Sequence, residues 1–401
     1  MTAPRQTHTL KVATAFSGGF GSVEFSLKYE NTPHEVIFAI EWMKPQRECY
    51  TLNHGTPRDG IYEDIVQFYG KKYKGEIDLF HLSPPCQSFS MAGKREGLDS
   101  DKGNLMFEAL RAIDEVQPKM FTVENVASLT SSNGGEDWNE ILKAFRSLPG
   151  YTISYGKMNA KHYNGIQNRD RLFIVGFRAT CVEMSFPSRV ERQYRLADFL
   201  EDDVDEKYYL SEKMIKGFIK KMDEGSPFKL KPLTRESLYS PTITARYHKC
   251  AITDPFLKEE LKQVGGIGGE VAQKHNSAWA RVYDIDGIAP TQVANGGGGG
   301  AKTGLFLVPI DVKRWYTRPY RIRKLTPREA ARVMGDYDDL YKMDGFSDTK
   351  KYEFIGNAIE INTYRHLLGQ ILKHANTLIW NEPQEPSFAH SATKQTQTTL
   401  F

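Results

Sequence analysis

The sequence has few cysteines, and their positions argue against the common structural uses of that residue. The four cysteines of this 401-residue chain are far apart, and no two form a C-x-x-C pair. Such spacing is poor material for a disulfide framework or a zinc site. The sequence therefore predicts free thiols, a reducing compartment and no bound metal.

Long apolar runs and a strong net charge are also lacking. No stretch approaches the roughly 18 apolar residues of a membrane span, and the opening MTAPRQTHTLKV is not a secretory signal peptide. The 53 Lys and Arg nearly balance the 50 Asp and Glu, for a formal net charge of +3. This balance neither requires nor excludes a nucleic-acid partner. We expect a soluble protein with no membrane partner.

What the first half does contain is an alternation of apolar runs and helical patterns. Because strands alternating with helices build parallel sheets, the pattern predicts a mostly parallel sheet with helices on both faces. Ligand sites of such sheets lie at the carboxyl ends of the strands. The predicted strands are 12–16, 36–41, 77–82, 120–124, 151–158 and 171–177, the last two antiparallel, and the predicted helices are 23–29, 105–116 and 138–148.

The pattern changes after about residue 186. The stretch 186–312 is polar and broken by prolines and by glycine runs such as VGGIGGE and NGGGGG, which predicts a separate, irregular domain. Regularity returns in RKLTPREAARVMG, where Thr326 is a plausible N-cap, Pro327 suits the first helical position and Glu329 completes a capping box. A last helix is predicted over 360–373, and the tail 383–401 is predicted to be disordered.

A glycine-rich turn, FSGGFGS, follows the first predicted strand. Glycine has no Cβ, so the backbone there can approach a ligand closely. Glu41 ends the next strand, where a carboxylate can hold both hydroxyls of a ribose. This pair suits an NAD dehydrogenase as well as any other nucleoside-cofactor enzyme, and a plain tight turn with a surface glutamate is also open.

Cys86 lies in SPPCQSFS, directly after an apolar strand and two prolines that restrict its backbone. A lone cysteine is more often an inert buried residue than a nucleophile. Glu124, in VENV, ends another apolar strand and is either a solvated strand end or an acid in the same cleft. Without a metal cluster, the two residues suggest attack on an electrophile that the acid protonates.

The segment QNRDR places Arg169 and Arg171 two residues apart. On a strand, such residues share one face. The pair is either an exposed basic edge or a clamp on a polar substrate.

These segments together resemble the cytosine-C5 DNA methyltransferase family, of the bacterial or phage modification type. They occur in that family's unpermuted order and span residues 13 to about 372. Each alone is a weak signal, but PCQ, ENV and QxRxR in that order are highly specific. In chain order the segments are FSGGFGS, EW at 41–42, EDI at 63–65, PPCQSFS, VENV, QNRDR, RKLTPREAARVMG and FIGNA at 354–358.

The resemblance implies an α/β fold: a Rossmann-like mostly parallel sheet with helices on both faces, plus a smaller irregular target-recognition domain. Residues 10–185 and 313–380 would form the catalytic domain, and 186–312 the target-recognition domain. It also implies a monomer that acts on double-stranded DNA in the bacterial cytoplasm or nucleoid. Whether a cognate restriction endonuclease acts separately, and which DNA sequence is recognised, is left open.

S-adenosylmethionine is the methyl donor that the resemblance implies. Phe16 would pack on its adenine between Trp42 and Ile65, Glu41 would hold its ribose, and Asp64 would accept a bond from its amino group. One departure from the family's F-x-G-x-G is Phe20, which leaves open which glycine approaches the cofactor. The full implied cofactor set is Phe16, Gly18, Gly19, Gly21, Glu41, Trp42, Asp64, Ile65, Pro85, Leu105, Asn357 and Ala358.

For catalysis, the resemblance implies that the Cys86 thiolate adds to C6 of cytosine and so activates C5. Glu124 would stabilise the charge near N3, Arg171 would hold the O2 edge, and Arg169 would position the loop. The cytosine must leave the base stack to reach these groups. The implied DNA-contact residues are Gln87, Ser90, Lys94, Arg95, Arg246, Arg281 and Thr291, with Thr242 as a rival of Thr291.

Three alternatives stay open at this stage. A tRNA cytosine methyltransferase shares the catalytic motifs, but its insertion is usually leaner than 186–312. A dehydrogenase explains the glycine turn and Glu41 but leaves PPCQ and QNRDR unexplained. A non-catalytic DNA-binding relative is disfavoured because Cys86, Glu124 and Arg171 are all intact.

Overall fold

A computed structural model describes residues 8–85, 105–179, 183–260, 263–266, 281–283 and 320–376 of the chain. The helices are α1 Ser22–Tyr29, α2 Lys44–His54, α3 Leu105–Val116, α4 Glu136–Arg146, α5 Glu212–Asp223, α6 Pro327–Val333, α7 Asp348–Asn357 and α8 Ile361–Ala375. The strands are β1 Leu10–Ala15, β2 His34–Ile40, β3 Ile61–Tyr62, β4 Leu79–Leu82, β5 Met120–Val126, β6 Thr152–Asn159, β7 Asp170–Phe177, β8 Phe256–Glu260, β9 Gln263–Gly266, β10 Arg281–Tyr283 and β11 Tyr320–Lys324.

Seven strands form the main sheet, in the order β3-β2-β1-β4-β5-β7-β6. The first five run parallel, whereas β7 is antiparallel to both β5 and β6. The predicted mostly parallel sheet and the predicted antiparallel pair are both confirmed. This order places the ends of β1, β2, β4 and β5 and the start of β7 along one edge, which we call the catalytic edge.

Helices cover both faces of this sheet. On one face, α3 and α4 pack on alternate residues of the strands, including Ala13, Ala15 and Phe121. On the other, α1 and α8 pack against residues such as Val12 and Phe173. The two-faced burial explains why these strands are apolar along their length and not alternating.

The second region of the described chain, 183–260, is less regular. Its apolar side chains join those of α6 and α7 in one cluster, as Phe199, Tyr247 and Leu257 do with Ala330 and Phe354. The fully buried Arg323 of β11 also bonds Glu259 of β8 and Glu329 of α6. The capping box of Thr326 and Glu329, with Pro327 in the first turn, is confirmed.

The sequence prediction missed three helices, α2, α5 and α7. In α2 only Gln46, Cys49 and Tyr50 are buried, so the apolar periodicity is too weak to mark a helix. The start of α7 did carry a signal, because Ser347 caps it by accepting a bond from Lys350 N. None of the helices in the described part of the chain has the length and apolarity that a bilayer crossing requires.

Candidate active site

The catalytic edge gathers the residues that the motifs singled out. Phe16, Glu41 and Ser83 each come directly after a strand, as predicted. Glu124 lies inside β5, which continues to Val126, and not at its end. Phe16 has a left-handed backbone with φ of 55°, a strained conformation for a residue with a Cβ, and it turns the chain sharply at the end of β1.

The glycine turn after β1 is tied to both neighbouring segments. The Gly18 N–H donates to Glu41 Oε2 at 2.9 Å, and the Gly19 N–H donates to Gln46 Oε1 of α2. A Cβ on Gly19 would lie 2.8 Å from that oxygen, and one on Gly21 would lie 2.3 Å from the His54 ring. At Gly18 the nearest such atom is 3.9 Å away. Of the three glycines, Gly18 is therefore the least crowded by the described residues, and the other two serve internal packing.

Phe20 replaces a glycine of the family pattern without filling the turn. Its ring is buried and packs against Phe25 and Tyr341, with ring centroids 5.5 and 4.2 Å away. The side chain points into the core, so the departure is compatible with a ligand above the turn.

Glu41 is held by main-chain donors on both of its oxygens. Besides Gly18, the Met43 N–H donates to Oε1 at 2.9 Å. Burial raises the pKa of Glu41, and these two hydrogen bonds work against that rise. The side chain of its neighbour Trp42 is 70% exposed. An oriented carboxylate that can accept from hydroxyls, next to an exposed aromatic ring and the uncrowded Gly18, fits a nucleoside.

The next segment, EDI, closes the same end of the sheet. Ile65 is buried, and its carbonyl accepts a bond from Arg111 of α3 at 2.6 Å. Asp64 Oδ1 accepts from the Val66 N–H at 2.9 Å, which fixes the carboxylate within its turn. Leu105, the first residue of α3, is half-buried against the main core.

The corner after β4 is held by hydrogen bonds from Asn125 of β5 and from the buried His81 of β4. Asn125 Nδ2 donates to the Pro84 carbonyl at 3.0 Å. Under the corner, the buried His81 bonds Ser83 Oγ at 2.9 Å and Thr122 Oγ1 at 2.7 Å. Pro85 is exposed and is the last described residue before the gap. The predicted site residues Cys86, Gln87, Ser90, Lys94 and Arg95 lie outside the described residues.

Glu124 and Arg171 form an ion pair at the catalytic edge. Arg171 Nε lies 2.7 Å from Glu124 Oε1, and the two side chains are 15% and 12% exposed. Arg171 is opposite Val126 in the sheet, so its side chain reaches Glu124 along the same face. The pair places an acid and a cation together at this end of the sheet.

Arg169 donates to the protein's own backbone, whereas Arg171 is the arginine that pairs with Glu124. It precedes β7, is 3% exposed, and donates to three main-chain carbonyls, those of Ile243, Gly356 and Ala358 at 3.0, 3.1 and 2.7 Å. Burial, with the nearby Arg171 as a second cause, lowers the pKa of Arg169 well below its ordinary value. Its contacts make it a positioning residue that joins the start of β7 to two distant segments.

FIGNA lies at the end of α7 and packs on the 240s. A Cβ on Gly356 would lie 2.2 Å from the backbone of Thr244 and Ala245. Asn357 is exposed at the helix end and Ala358 caps it.

The structure tests few of the implied DNA contacts. Arg246 is exposed, but Thr242 is already bonded to the Asn168 carbonyl at 2.7 Å. Arg281 begins the short strand β10, and Thr291 is outside the described residues.

Two described cysteines have environments that oppose nucleophilic use. Burial raises the pKa of Cys49 to about 11, and Cys49 Sγ lies 3.1 Å from the Tyr341 hydroxyl. Burial also raises the pKa of Cys250. Since the thiolate is the nucleophile, neither residue is suited to attack a base. The described residues contain no group of three or more His, Cys, Asp or Glu side chains arranged to hold a metal ion.

Comparison with known proteins identifies the family. The family model for C-5 cytosine-specific DNA methylase matches residues 13–373. The chain belongs to this family. It is therefore a DNA cytosine-5-methyltransferase, which methylates cytosine in DNA with a methyl donor, and the resemblance seen in the motifs is confirmed.

The relatives cover most of this chain. The type II methyltransferase M.HhaI of Haemophilus parahaemolyticus is 28% identical over 90% of this chain and 94% of its own length. M.SsoII of Shigella sonnei is 31% identical over 88% of this chain and 78% of its own length. A solved structure of S. pombe Dnmt2 methyltransferase matches with a TM-score of 0.65 and 20% identity, over 92% of this chain and 99% of that one. This last likeness supports the fold alone.

Several residues of the site were not predicted from the sequence. Gln46 holds the glycine turn from a helix that was missed, and Asn125 fixes the Pro84 corner. Asn125 had a signal, because it is the amide next to Glu124 in VENV. Gln167 is fully buried, and its amide N and O have no hydrogen-bond partner among the described residues.

Proposed function

We propose that the chain transfers a methyl group from S-adenosylmethionine to C5 of a flipped-out cytosine in duplex DNA, through a covalent bond between Cys86 and C6. The observation that carries the proposal is the Glu124–Arg171 pair at 2.7 Å beside the Pro84 corner fixed by Asn125. The chain enters Cys86 two residues after Pro84. An acid and a cation thus lie at the end of the sheet from which the chain continues to Cys86.

S-adenosylmethionine fits the other end of the same edge. Glu41 would bind the ribose hydroxyls, since its two oxygens are already oriented by Gly18 and Met43. Trp42 would stack on the adenine, and the backbone at Gly18 would admit the methionine part. When bound, the cofactor supplies an electrophilic methyl group next to C5.

The chemistry of this chain's own groups follows from the weakness of cytosine C5 as a nucleophile. The Cys86 thiolate forms an S–C6 bond, and the displaced electron pair moves toward C5 and N3. Glu124 shares a proton with N3 and so neutralises the developing charge, while Arg171 orients Glu124 and binds the O2 edge. After methylation a base removes the C5 proton, the S–C6 bond breaks, and the thiolate leaves.

Duplex DNA would be read by residues 186–312, whose polar, glycine-rich composition suits phosphate and groove contacts. The target base must be extruded, because a stacked ring cannot reach Glu124 or Cys86. We propose a monomer that works in a bacterial cytoplasm or nucleoid. A restriction endonuclease that cuts the same site would act as a separate protein.

The test is methyl transfer from tritiated S-adenosylmethionine to a duplex DNA library and, in parallel, to tRNA. We expect label in duplex DNA and not in tRNA, and bisulfite sequencing of the product should show one short sequence context. Label in tRNA alone would contradict the proposed substrate. Binding of NAD in place of S-adenosylmethionine would contradict the proposed donor.

A further inference from the structure

A strip of cationic and aromatic side chains borders the catalytic edge outside the motifs of the family. It consists of Lys161, Arg189, Arg192 and Tyr239. Tyr239 is 37% exposed, and Lys161 Nζ and the Arg192 guanidinium lie 5.7 and 5.8 Å from its ring centroid. Arg189 is exposed three residues before Arg192. We call these four residues the basic strip.

The backbone of the strip is anchored to the turn between β6 and β7. The Val190 N–H donates to the His162 carbonyl at 3.0 Å, and the Gln193 N–H donates to Asn164 Oδ1 at 2.8 Å. Tyr239 precedes Ser240, whose N–H donates to the Ile166 carbonyl at 2.8 Å. The backbone that carries these cationic side chains is therefore held in place by hydrogen bonds.

No described carboxylate neutralises the charges of the strip. Among the described residues, no carboxylate lies within ion-pair distance of Lys161, Arg189 or Arg192. Some arginines elsewhere do have such partners, as Arg58 has Asp59 and Arg332 has Asp339. A neighbouring acid, Glu191, reaches none of the three cations.

The strip lies at the edge where the target base would react. Lys161 follows the end of β6, and Asn159 of β6 pairs with Asp170 at the start of β7. Arg171, the partner of Glu124, is the next residue. A duplex whose base reaches Glu124 would bring its phosphates over this same edge.

We propose that the basic strip binds the phosphate backbone of duplex DNA beside the extruded nucleotide. Cations without an acidic partner on a fixed backbone are suited to binding successive phosphates. The exposed Tyr239 ring orients the two cations, Lys161 and Arg192, that lie near it. The inference rests on the proposed function and adds a sequence-independent contact surface to it.

The test measures how duplex affinity depends on salt. Each phosphate contact adds about 0.9 to the slope of log K against log salt. The double variant Arg189→Ala/Arg192→Ala should therefore lower the slope by about 1.8 and weaken binding at fixed salt on the order of tenfold. Methyl transfer at saturating DNA should stay within about twofold of wild type, because neither residue touches the reacting groups.

A matched control removes the same charge at the opposite edge. Lys143 and Arg146 are exposed at the end of α4, which leads into the start of β6. Lys143→Ala/Arg146→Ala should leave the slope unchanged, and Arg189→Lys/Arg192→Lys should restore it. Equal slopes in the two alanine doubles would overturn the proposal, as would a loss confined to tRNA binding. A wild-type protein that fails to methylate duplex DNA would instead contradict the proposed function.

Discussion

The two halves of the catalytic edge hold their carboxylates in different ways. In the cofactor half, formed by β1, β2 and β3, Glu41 is bound by the main-chain N–H groups of Gly18 and Met43. In the base half, formed by β4, β5 and β7, Glu124 is bound by the guanidinium of Arg171. The first arrangement fixes a carboxylate as an acceptor, whereas the second pairs it with a cation at the place where charge would develop.

The halves also differ in the sequence separation between the charged side chains and the groups that hydrogen-bond to them. Glu41 and its two donors fall within 26 residues of one another. In the base half, Arg169 bonds the carbonyls of Ile243, Gly356 and Ala358, which are 74 to 189 residues away. The cofactor half is thus held by contacts that are local in sequence, whereas the base half depends on contacts with segments that are far away in the sequence.

The largest effect is expected at Glu124. Glu124→Gln keeps the shape of the side chain but removes its ability to share a proton, so methyl transfer should fall roughly 10²- to 10⁴-fold. Single-turnover kinetics measures this, and DNA affinity by fluorescence anisotropy should change little. Glu140→Gln, on the exposed face of α4, is the control. A rate within tenfold of wild type would remove Glu124 from the chemistry.

Arg169→Met should lower the free energy of unfolding by about 3 kcal/mol, because it leaves buried carbonyls without a charged donor. Urea denaturation measures the loss. Arg178→Met removes an exposed arginine whose side chain bonds Gln117 and should cost far less. If the two variants lose equal stability, the base half does not depend on the distant contacts of Arg169.

In the cofactor half, Glu41→Ala should cost about 1–3 kcal/mol of S-adenosylmethionine binding, since the donors that it leaves would be unpaired. Isothermal calorimetry gives this number directly. Glu35→Ala, at the exposed start of β2, should bind normally, and DNA affinity should be unaffected in both variants. Unchanged cofactor affinity in Glu41→Ala would reject its role.

A pH titration compares one histidine with a lowered pKa from each half. Burial lowers the pKa of His81 to about 3 and that of His54 to about 4, from an ordinary value of 6.5. Because the folded state then binds fewer protons than the unfolded state, stability should fall as the pH drops from about 6.5 toward 4. Each histidine contributes about 1.4 kcal/mol per pH unit.

His81→Gln and His54→Gln should each reduce the slope of the free energy of unfolding against pH by the amount that corresponds to one proton. Urea unfolding at a series of pH values measures the slope. If neither variant changes the slope between pH 6 and 4, the two histidines are not buried and neutral in the folded protein.

Much of the fold could be predicted because local patterns decide it. The apolar runs of β1, β2, β4 and β5 are buried on both faces, and the capping box at Thr326 is a signal of four residues. The motifs also placed Glu41, Glu124 and Arg171 at the catalytic edge. By contrast, α2 was missed because its buried residues are few, although Gln46 on it holds the glycine turn.

The contacts of Arg169 could not be predicted from the sequence. The residue lies just before β7, which begins at Asp170. Arg169 then turns into the interior, where its partners come from segments that no local pattern connects to it. Only the folded tertiary structure brings those carbonyls together.

The covalent step at Cys86 can be tested with a duplex that carries 5-fluorocytosine at the target position. Fluorine at C5 cannot leave as a cation, so the protein should methylate once and stay joined to C6. We predict a DNA–protein band on denaturing gels that requires S-adenosylmethionine, maps by mass spectrometry to SPPCQSFS, and is lost in Cys86→Ala. A crosslinked peptide that carries Cys49, Cys181 or Cys250, or turnover on ordinary cytosine with no trapped species, would contradict the account.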